Sequence, residues 1–495
     1  MVKWLRALRR PELLLLAITV WRLWAAAAIP LTEDEAYYRL WSQHLALGYF
    51  DHPPMIAWWI AAGTRILGDT ALGVRLLAVL ACSATSLLLA QIVRCLGGSQ
   101  QAASRAMIWY QATLLVGLGG LLATPDAPTT LLWAVVVWLA LKAEVGSPRL
   151  WLAAGLAAGL ALLSKYSSLF LPVGIALWLI VRPEGRRILR TPWPWIAGLL
   201  ALTLFGLNIA WNATHGWLSF SKQFGRAAVH GFSPKHLVEL IVIQALLLNP
   251  LIAGFAAKGL ARLWRTRQAP LLGLLAPTLI AAPFAAYLVL HSLHAPVQAH
   301  WPVPLYPLAI LLAVFEAELV TRPLSRRLRR LAPWSLVFCV IVSAHLASPR
   351  SDLPGVTTWV APIRGWPDFA KRVELARQRE GAAWVGTLSY GSVAQLRLTG
   401  DIAAPVIQLT ERRRYAADDA PAALVNERPG LVVDLKRRLD PGDLARCFKT
   451  VTVLEDLDRG DKNGPSVLYL MVRVQGARRD LASRGCWAGK TPDGG

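Results

Sequence analysis

The feature that most limits what this chain can become is a succession of apolar stretches, too long for a globular core and separated by short polar breaks. A membrane span takes roughly 17–25 mainly apolar residues, fewer inside a helical bundle. On that measure the stretches number about eleven: 13–30, 71–93, 106–122, 127–141, 150–163, 167–181, 192–211, 237–257, 269–290, 301–319 and 331–347. Composition agrees. Of 495 residues, 55% are hydrophobic and only 17% charged, whereas soluble domains run at about a quarter charged. An ordinary soluble enzyme and a disordered chain are both excluded. The 22 tryptophans fit a protein with two lipid–water interfaces to line.

The formal net charge of +22, from 52 Lys and Arg against 30 Asp and Glu, suggests nucleic acid at first sight. That reading needs a soluble basic surface, and here the charges sit between apolar runs. Composition shifts at residue 347. Residues 1–347 form a membrane body with a first outer loop over 31–70. Residues 348–495 have a soluble-like charge balance and enough length, about 150 residues, for a core of their own. The start, MVKWLRALRR, resembles that of a signal peptide, but no clean small-residue cleavage site follows. It is read as an uncleaved first helix.

Basic loop residues set the orientation. One alternating set of loops holds the runs Lys3–Arg10, Arg182–Arg190, Lys258–Arg267 and Arg322–Arg330, while the opposite set holds only scattered Lys and Arg. The N-terminus is therefore expected in the cytoplasm and, with an odd number of spans, the C-terminal domain outside. The acids show the opposite bias. Glu33, Asp34, Glu35, Asp51 and Asp69 all fall in the first outer loop, and Asp126 at the next outer turn. Carboxylates at a membrane face are costly to desolvate and mark a functional site by default. The plain alternative is that outer loops tolerate acids, and for Asp69, beside Gly68 in a turn, that alternative is preferred.

Local patterns sharpen the loop. Thr32 followed three residues later by Glu35 is a capping-box spacing that opens a helix. On it Asp34 and Tyr38 share a face at i, i+4, and Trp41 continues the stripe. A short amphipathic helix on the membrane surface is expected. The segment Gly48-Tyr-Phe-Asp-His-Pro-Pro-Met55 then presents Asp51 and His52 on a loop stiffened by two prolines. Asp126 in ATPDAP is either a first-turn acid serving the helix dipole or a site carboxylate. Lys165 in LSKYS, next to Tyr166, is either a snorkelling interface lysine or a functional cation. His300, in HWPVP, is a further candidate for the pocket.

Together these residues identify a likeness. TEDEAYYRLWSQHLALGYFDHPPMIAWW, LLATPDAP, LLSKYSS, WNATHGW and AHWPVPLYP resemble the bacterial branch of the protein-mannosyltransferase-like family, which includes lipid A aminoarabinose transferases. The resemblance covers about residues 1–320 and implies an inverting C-type glycosyltransferase that uses a polyprenyl-phosphate sugar. It implies that Asp34 is the essential first-loop aspartate, that Asp126 is the second catalytic aspartate and that Lys165 contacts the lipid phosphate. Tyr38, Tyr49 and Asp51 fall at pocket positions, and Glu35, His52, Tyr166 and His300 complete the expected substrate-binding set. The sequence departs from the aminoarabinose transferases at Tyr37, where they have an arginine, and at His52, where they have a lysine before proline.

Such a reaction needs a carboxylate to take or orient the acceptor proton. It also needs cations to stabilise the leaving phosphate and an apolar groove for the prenyl tail. Asp34 is the candidate base or orienter; Lys165, His52 and, less well placed, Arg39 are candidate phosphate contacts. If the acceptor is itself a phosphate, Asp34 acts by positioning. No cofactor is expected. Asp34, Glu35, Asp51 and Asp126 could hold Mg²⁺ or Mn²⁺, but no metal-loop spacing is present, and His215, His230, His294 and His300 lack zinc spacing. The expected partners are a polyprenyl-phosphate sugar, a lipid or glycan acceptor and membrane lipid, without nucleic acid.

In the C-terminal part, 382–390, 430–435, 450–454 and 466–474 read as strands, alternating with helices over 366–380 and 391–398. A small α/β domain is expected. Cys82, Cys95 and Cys339 lie in or beside apolar spans; Cys447 and Cys486 could pair if the domain is outside. Two other functions fit an α-helical polytopic membrane protein. A lipid or polysaccharide transporter would place its charges near the membrane midplane, often in repeated halves, and no second copy of DEAYY or DHPP is found. An inactive scaffold would share the fold without turnover.

Overall fold

The apolar stretches fold as helices, and their lengths decide which of them can cross a bilayer unaided. The structure, a computed structural model, describes residues 11–226, 231–266, 271–348, 363–418, 421–460 and 466–478. Among these, six helices are long and apolar enough to span: Pro11–Ala28, Ala71–Cys95, Asp126–Val145, Trp193–Thr214, Leu275–Ser292 and Pro323–Ala347. Two bent pairs, Tyr166–Val181 with Pro183–Leu189 and Lys235–Leu247 with Pro250–Arg265, raise that number to as many as eight. The chain is a multi-pass membrane protein.

The remaining stretches of the eleven are helical but short or broken, and the reasons are local. Leu150–Leu162 has 13 residues, about 20 Å of helix against a hydrocarbon core of about 30 Å. The stretch near 106–122 breaks between Gln111 and Leu114, where Thr113 caps the second piece by accepting from the Val116 amide. The Lys235–Leu247 helix ends where Asn249 takes a positive φ of 73° ahead of Pro250. Its side-chain amide donates to the Ala332 carbonyl at 2.9 Å, so the break is held by a partner.

The chain divides into two compact units: Met1–Ala28 with Leu45–Ala347, and Ile29–His44 with Ser348–Gly495. In the first, the helices close on a core that includes Trp109, Trp133, Trp178, Phe284 and Phe315. Without a hydrophobic force between helices in lipid, close backbone approach holds them. Gly155 shows it: a side chain there would meet the Ala197 carbonyl oxygen at 2.4 Å. A charge inside the bundle must be satisfied internally, because lipid offers no partner. Arg22 is buried in the first helix and donates to Gln111 Oε1 at 2.7 Å and the Val116 carbonyl at 3.1 Å.

In the second unit the expected α/β pattern is present. Strands β1 (Trp384–Thr387), β2 (Val406–Gln408), β3 (Gly430–Leu435), β4 (Phe448–Asp458) and β5 (Leu468–Ala477) form one sheet of order β2-β1-β3-β5-β4. The β2-β1-β3 part is parallel and the rest antiparallel. Helices Trp366–Arg379 and Tyr390–Thr399 fall close to their expected limits. The three-residue β2 has too little alternation to be read from sequence.

The same unit contains the first-loop helix, Glu33–Trp41. Thr32 and Glu35 form the capping box that their spacing predicts: the Glu35 amide donates to Thr32 Oγ1 and the Thr32 amide to Glu35 Oε2. The helix does not, however, present an open polar face as a surface-lying helix would. Every residue from Glu35 to Trp41 is buried. The reason is the packing of the Tyr390–Thr399 helix against it. Gly391 makes this contact close, since a side chain there would meet Glu33 Cβ at 2.6 Å.

Candidate functional site

In the membrane unit the loop and two turns bring candidate residues together. Asp126 opens the helix Asp126–Val145 and is 9% exposed. Lys165 lies just before the Tyr166–Leu169 turn, and its Nζ sits 2.6 Å from Asp126 Oδ1. His300 brings Nε2 to 3.8 Å of Asp126 Oδ2, an electrostatic contact rather than a hydrogen bond. Both side chains of the Lys165–Asp126 pair are only 12% exposed. At that depth the attraction is screened far less than at a surface, and each charge depends on the other.

Beside this pair lies a cavity of about 370 Å³. Phe170, Phe205, Phe220, Phe284 and Trp301 give it an aromatic wall, while Lys165, His52 and Gln223 supply polar groups. Tyr166 also lines it, with its hydroxyl donating to Asn208 Oδ1 at 3.1 Å. Asn212, from the WNATHGW segment, donates to the Asn208 carbonyl and so ties the two asparagines together on one helix face. Such a pocket, apolar with a cation in its lining, suits a hydrocarbon chain that ends in an anion.

The proline-stiffened loop is built into the same unit. The Tyr49 amide donates to the His52 carbonyl at 3.1 Å, closing the turn. The Tyr49 hydroxyl accepts from the Ala46 amide, and burial pushes its phenol up to about 12. Ser219 donates to the Tyr49 carbonyl and Gln223 to the Asp51 carbonyl. Asp51 is buried and His52 half-buried.

The remaining first-loop candidates belong to the other unit. Asp34 Oδ1 accepts a hydrogen bond from the Tyr390 hydroxyl at 2.6 Å. Glu35 is fully buried, and its carboxylate closes the capping box. Tyr38 packs on Trp41, with ring centroids 5.0 Å apart. Arg39 is buried and donates to Ser42 Oγ. Tyr37, which stands where the aminoarabinose transferases are expected to have an arginine, is buried among Trp41, Tyr390 and Tyr415. Burial also raises the Glu33 carboxyl above its usual range, an effect that Arg438 and Arg459 partly oppose.

Sequence reasoning passed over Tyr390, Arg414 and Tyr415. No local spacing could have signalled them, because Tyr390 stands 356 residues from its partner Asp34. Among the described residues no group of three or more His, Cys, Asp or Glu is placed to hold a metal ion. Asp126, one of the acids that could have served a cation, carries the Lys165 ammonium on Oδ1. Cys447 is buried at a helix end; Cys486, His230 and the Lys3–Arg10 run lie outside the described residues.

The chain is similar to known proteins in sequence and in fold. The family model described as dolichyl-phosphate-mannose-protein mannosyltransferase matches residues 51–211, a segment that holds Asp51, His52, Asp126, Lys165 and Tyr166. A lipid A galacturonosyltransferase, RgtD of Rhizobium johnstonii, is 29% identical over 313 residues, which are 61% of this chain and 64% of that protein. The match thus spans a little less than two thirds of that relative. The crystal structure of ArnT from Cupriavidus metallidurans in the apo state superposes with a TM-score of 0.62 at 16% identity, over 94% of this chain and 98% of that one. The same protein bound to undecaprenyl phosphate gives 0.59 at 15% identity, over 93% and 97%. At these identities the likeness establishes the fold.

Proposed function

We propose that this chain, a relative of the protein-mannosyltransferase-like C-type glycosyltransferases in fold and in sequence, moves a sugar from a polyprenyl-phosphate donor to lipid A. The observation that carries the reading is the buried Lys165–Asp126 pair beside an aromatic-walled cavity of about 370 Å³. The undecaprenyl phosphate bound in the ArnT crystal structure and the lipid A acceptor named for RgtD support donor and acceptor in turn.

The cavity takes the prenyl chain next to the phosphate, whose oxygens meet the Lys165 ammonium and the His52 imidazole. Lys165 has three donor hydrogens, so it serves the phosphate without leaving Asp126. Asp126 keeps the ammonium in place against the desolvation that a dry pocket imposes. In the reaction an acceptor oxygen forms a bond to the sugar C1 as the bond from C1 to the phosphate oxygen breaks, with inversion. The electron pair leaves on the phosphate, where a fixed cation lowers the barrier. A hydroxyl acceptor passes its proton to Asp34; a phosphate acceptor has none to lose, and Asp34 then positions it.

The loop charges put the N-terminus in the cytoplasm and Asp126 and Lys165 on the outer face of the cytoplasmic membrane. The C-terminal domain goes with them, because residues 29–44, at the start of the first outer loop, belong to its compact unit. The chemistry calls on no cofactor. The test is transfer by the purified protein in detergent, from undecaprenyl-phosphate sugars carrying galacturonic acid, aminoarabinose or mannose, to lipid A, read by mass spectrometry. A product one sugar heavier with one donor supports the reading. No product with any of them, from folded protein, overturns it.

A further inference from the structure

Resting on that reading, we propose that Tyr390 is a positioning residue for Asp34, so that the C-terminal domain takes part in catalysis by holding the first-loop carboxylate. Its hydroxyl donates to Asp34 Oδ1 at 2.6 Å, the length of a charge-assisted O–H···O⁻ bond. Such a bond fixes the plane of the carboxylate. With Oδ1 engaged, Oδ2 is the oxygen turned over to the acceptor.

The aim of the phenol is set from several sides. Tyr390 follows β1 directly, and the turn between them is pinned by Asp434, whose Oδ2 accepts from the Leu388 and Ser389 amides at 2.7 and 3.0 Å. The Tyr390 carbonyl accepts from the Tyr415 hydroxyl at 2.7 Å. Its ring meets Tyr37 at 5.2 Å between centroids and carries the Arg414 guanidinium 4.4 Å from its own centroid. Arg414 is fixed in turn by Glu411.

The same helix places the carboxylate. Gln395 donates to the Leu31 carbonyl at 2.9 Å, holding the chain just before the first-loop helix. Gly391 lets Glu33 approach nearer than any side chain there would allow. A hydroxyl that merely stitched two helices together would need no such support on every side of its ring. A carboxylate that must meet an acceptor in one orientation does need it, because misplacement of a reacting group by about 1 Å costs on the order of 100-fold in rate.

The test is Tyr390→Phe in the full-length protein, which keeps the ring between Tyr37 and Arg414 and removes only the hydroxyl. Transfer to lipid A is measured from the undecaprenyl-phosphate sugar that the wild type accepts. Expected is a fall in kcat of about 10-fold or more with donor KM unchanged. The loss should fall on kcat rather than on donor binding, because the hydroxyl touches the carboxylate and not the donor. Incorporation of a fluorinated tyrosine at 390, which keeps the hydroxyl donor, should restore most of the wild-type kcat. Wild-type kcat in Tyr390→Phe overturns the proposal. So does lost activity that tracks lost thermal stability, or that the fluorinated tyrosine fails to restore. An inactive wild type would instead refute the transferase reading. Active wild type with inactive Asp34→Asn and fully active Tyr390→Phe would leave that reading standing and sink this one.

Discussion

Lys165 and Asp126, 39 residues apart in sequence, meet at 2.6 Å with both side chains almost sealed from solvent. Each reached the sequence reading with a bland alternative: a snorkelling lysine, and an acid serving a helix dipole. Their pairing changes the question, since neither is free to make only the local contact that those alternatives require. A snorkelling ammonium would reach for water, and this one is turned inward onto a carboxylate.

Lys165→Ala should weaken donor binding by about 10- to 100-fold, the worth of a hydrogen bond to a charged group. Titration of the purified protein with undecaprenyl phosphate, followed by thermal shift, reads this directly. Unchanged binding would return Lys165 to a structural role. The substitution should also destabilise the membrane unit, because Asp126 is left buried without its cation. Lys165→Ala with Asp126→Ala together should recover part of that loss.

Asp34→Asn should lower transfer by about 10²–10⁴-fold, the range for removal of a positioned acid–base group, while the protein still inserts and folds. The asparagine side chain can still accept from Tyr390, so the fold is preserved. Near wild-type turnover by a well-folded mutant would remove Asp34 from the catalytic role.

The capping box gives a purely structural control. Thr32→Ala removes the acceptor of the Glu35 amide and should cost about 1 kcal/mol. Differential scanning of the detergent-solubilised protein checks it. A loss several times larger would mean that Thr32 does more than cap.

Gly391→Ala tests the contact between the Tyr390–Thr399 and Glu33–Trp41 helices. The new Cβ would lie 2.6 Å from Glu33 Cβ, a stem atom that cannot swing away. A loss of about 1–3 kcal/mol is expected, and Tyr390 should lose its register with Asp34. Activity should therefore fall with stability. Unchanged melting and unchanged turnover would contradict this packing.

Glu33 supplies the pH dependence. Burial raises its pKa above the ordinary 4.5, so the folded chain binds its proton more tightly than the unfolded one does. The sign follows: stability falls as pH rises from about 4.5 through the folded value, because ionisation is then forced in a buried setting. Glu33→Gln should flatten that slope and raise stability at neutral pH. Thermal unfolding of both proteins across pH 4–8 decides it, and parallel curves would show that Arg438 and Arg459 fully compensate the charge.

What the sequence determined by itself was everything that depends on neighbours along the chain. The apolar runs made it a polytopic membrane protein, the alternating apolar segments after residue 380 made an α/β domain, and Thr32 with Glu35 made a helix start. These follow from burial and hydrogen bonding over a few turns, which local spacing records. Tertiary structure decided which charges are partners. The Lys165–Asp126 pair, the aromatic cavity, and above all the gathering of residues 29–44 into one unit with the C-terminal domain depend on segments tens to hundreds of residues apart. Even the first-loop helix divides in this way. Its start was legible in the cap, but its fate was not: its amphipathic pattern suits a membrane surface and a protein surface equally well. Only the Tyr390–Thr399 helix, with a glycine where the two must touch, chose between them.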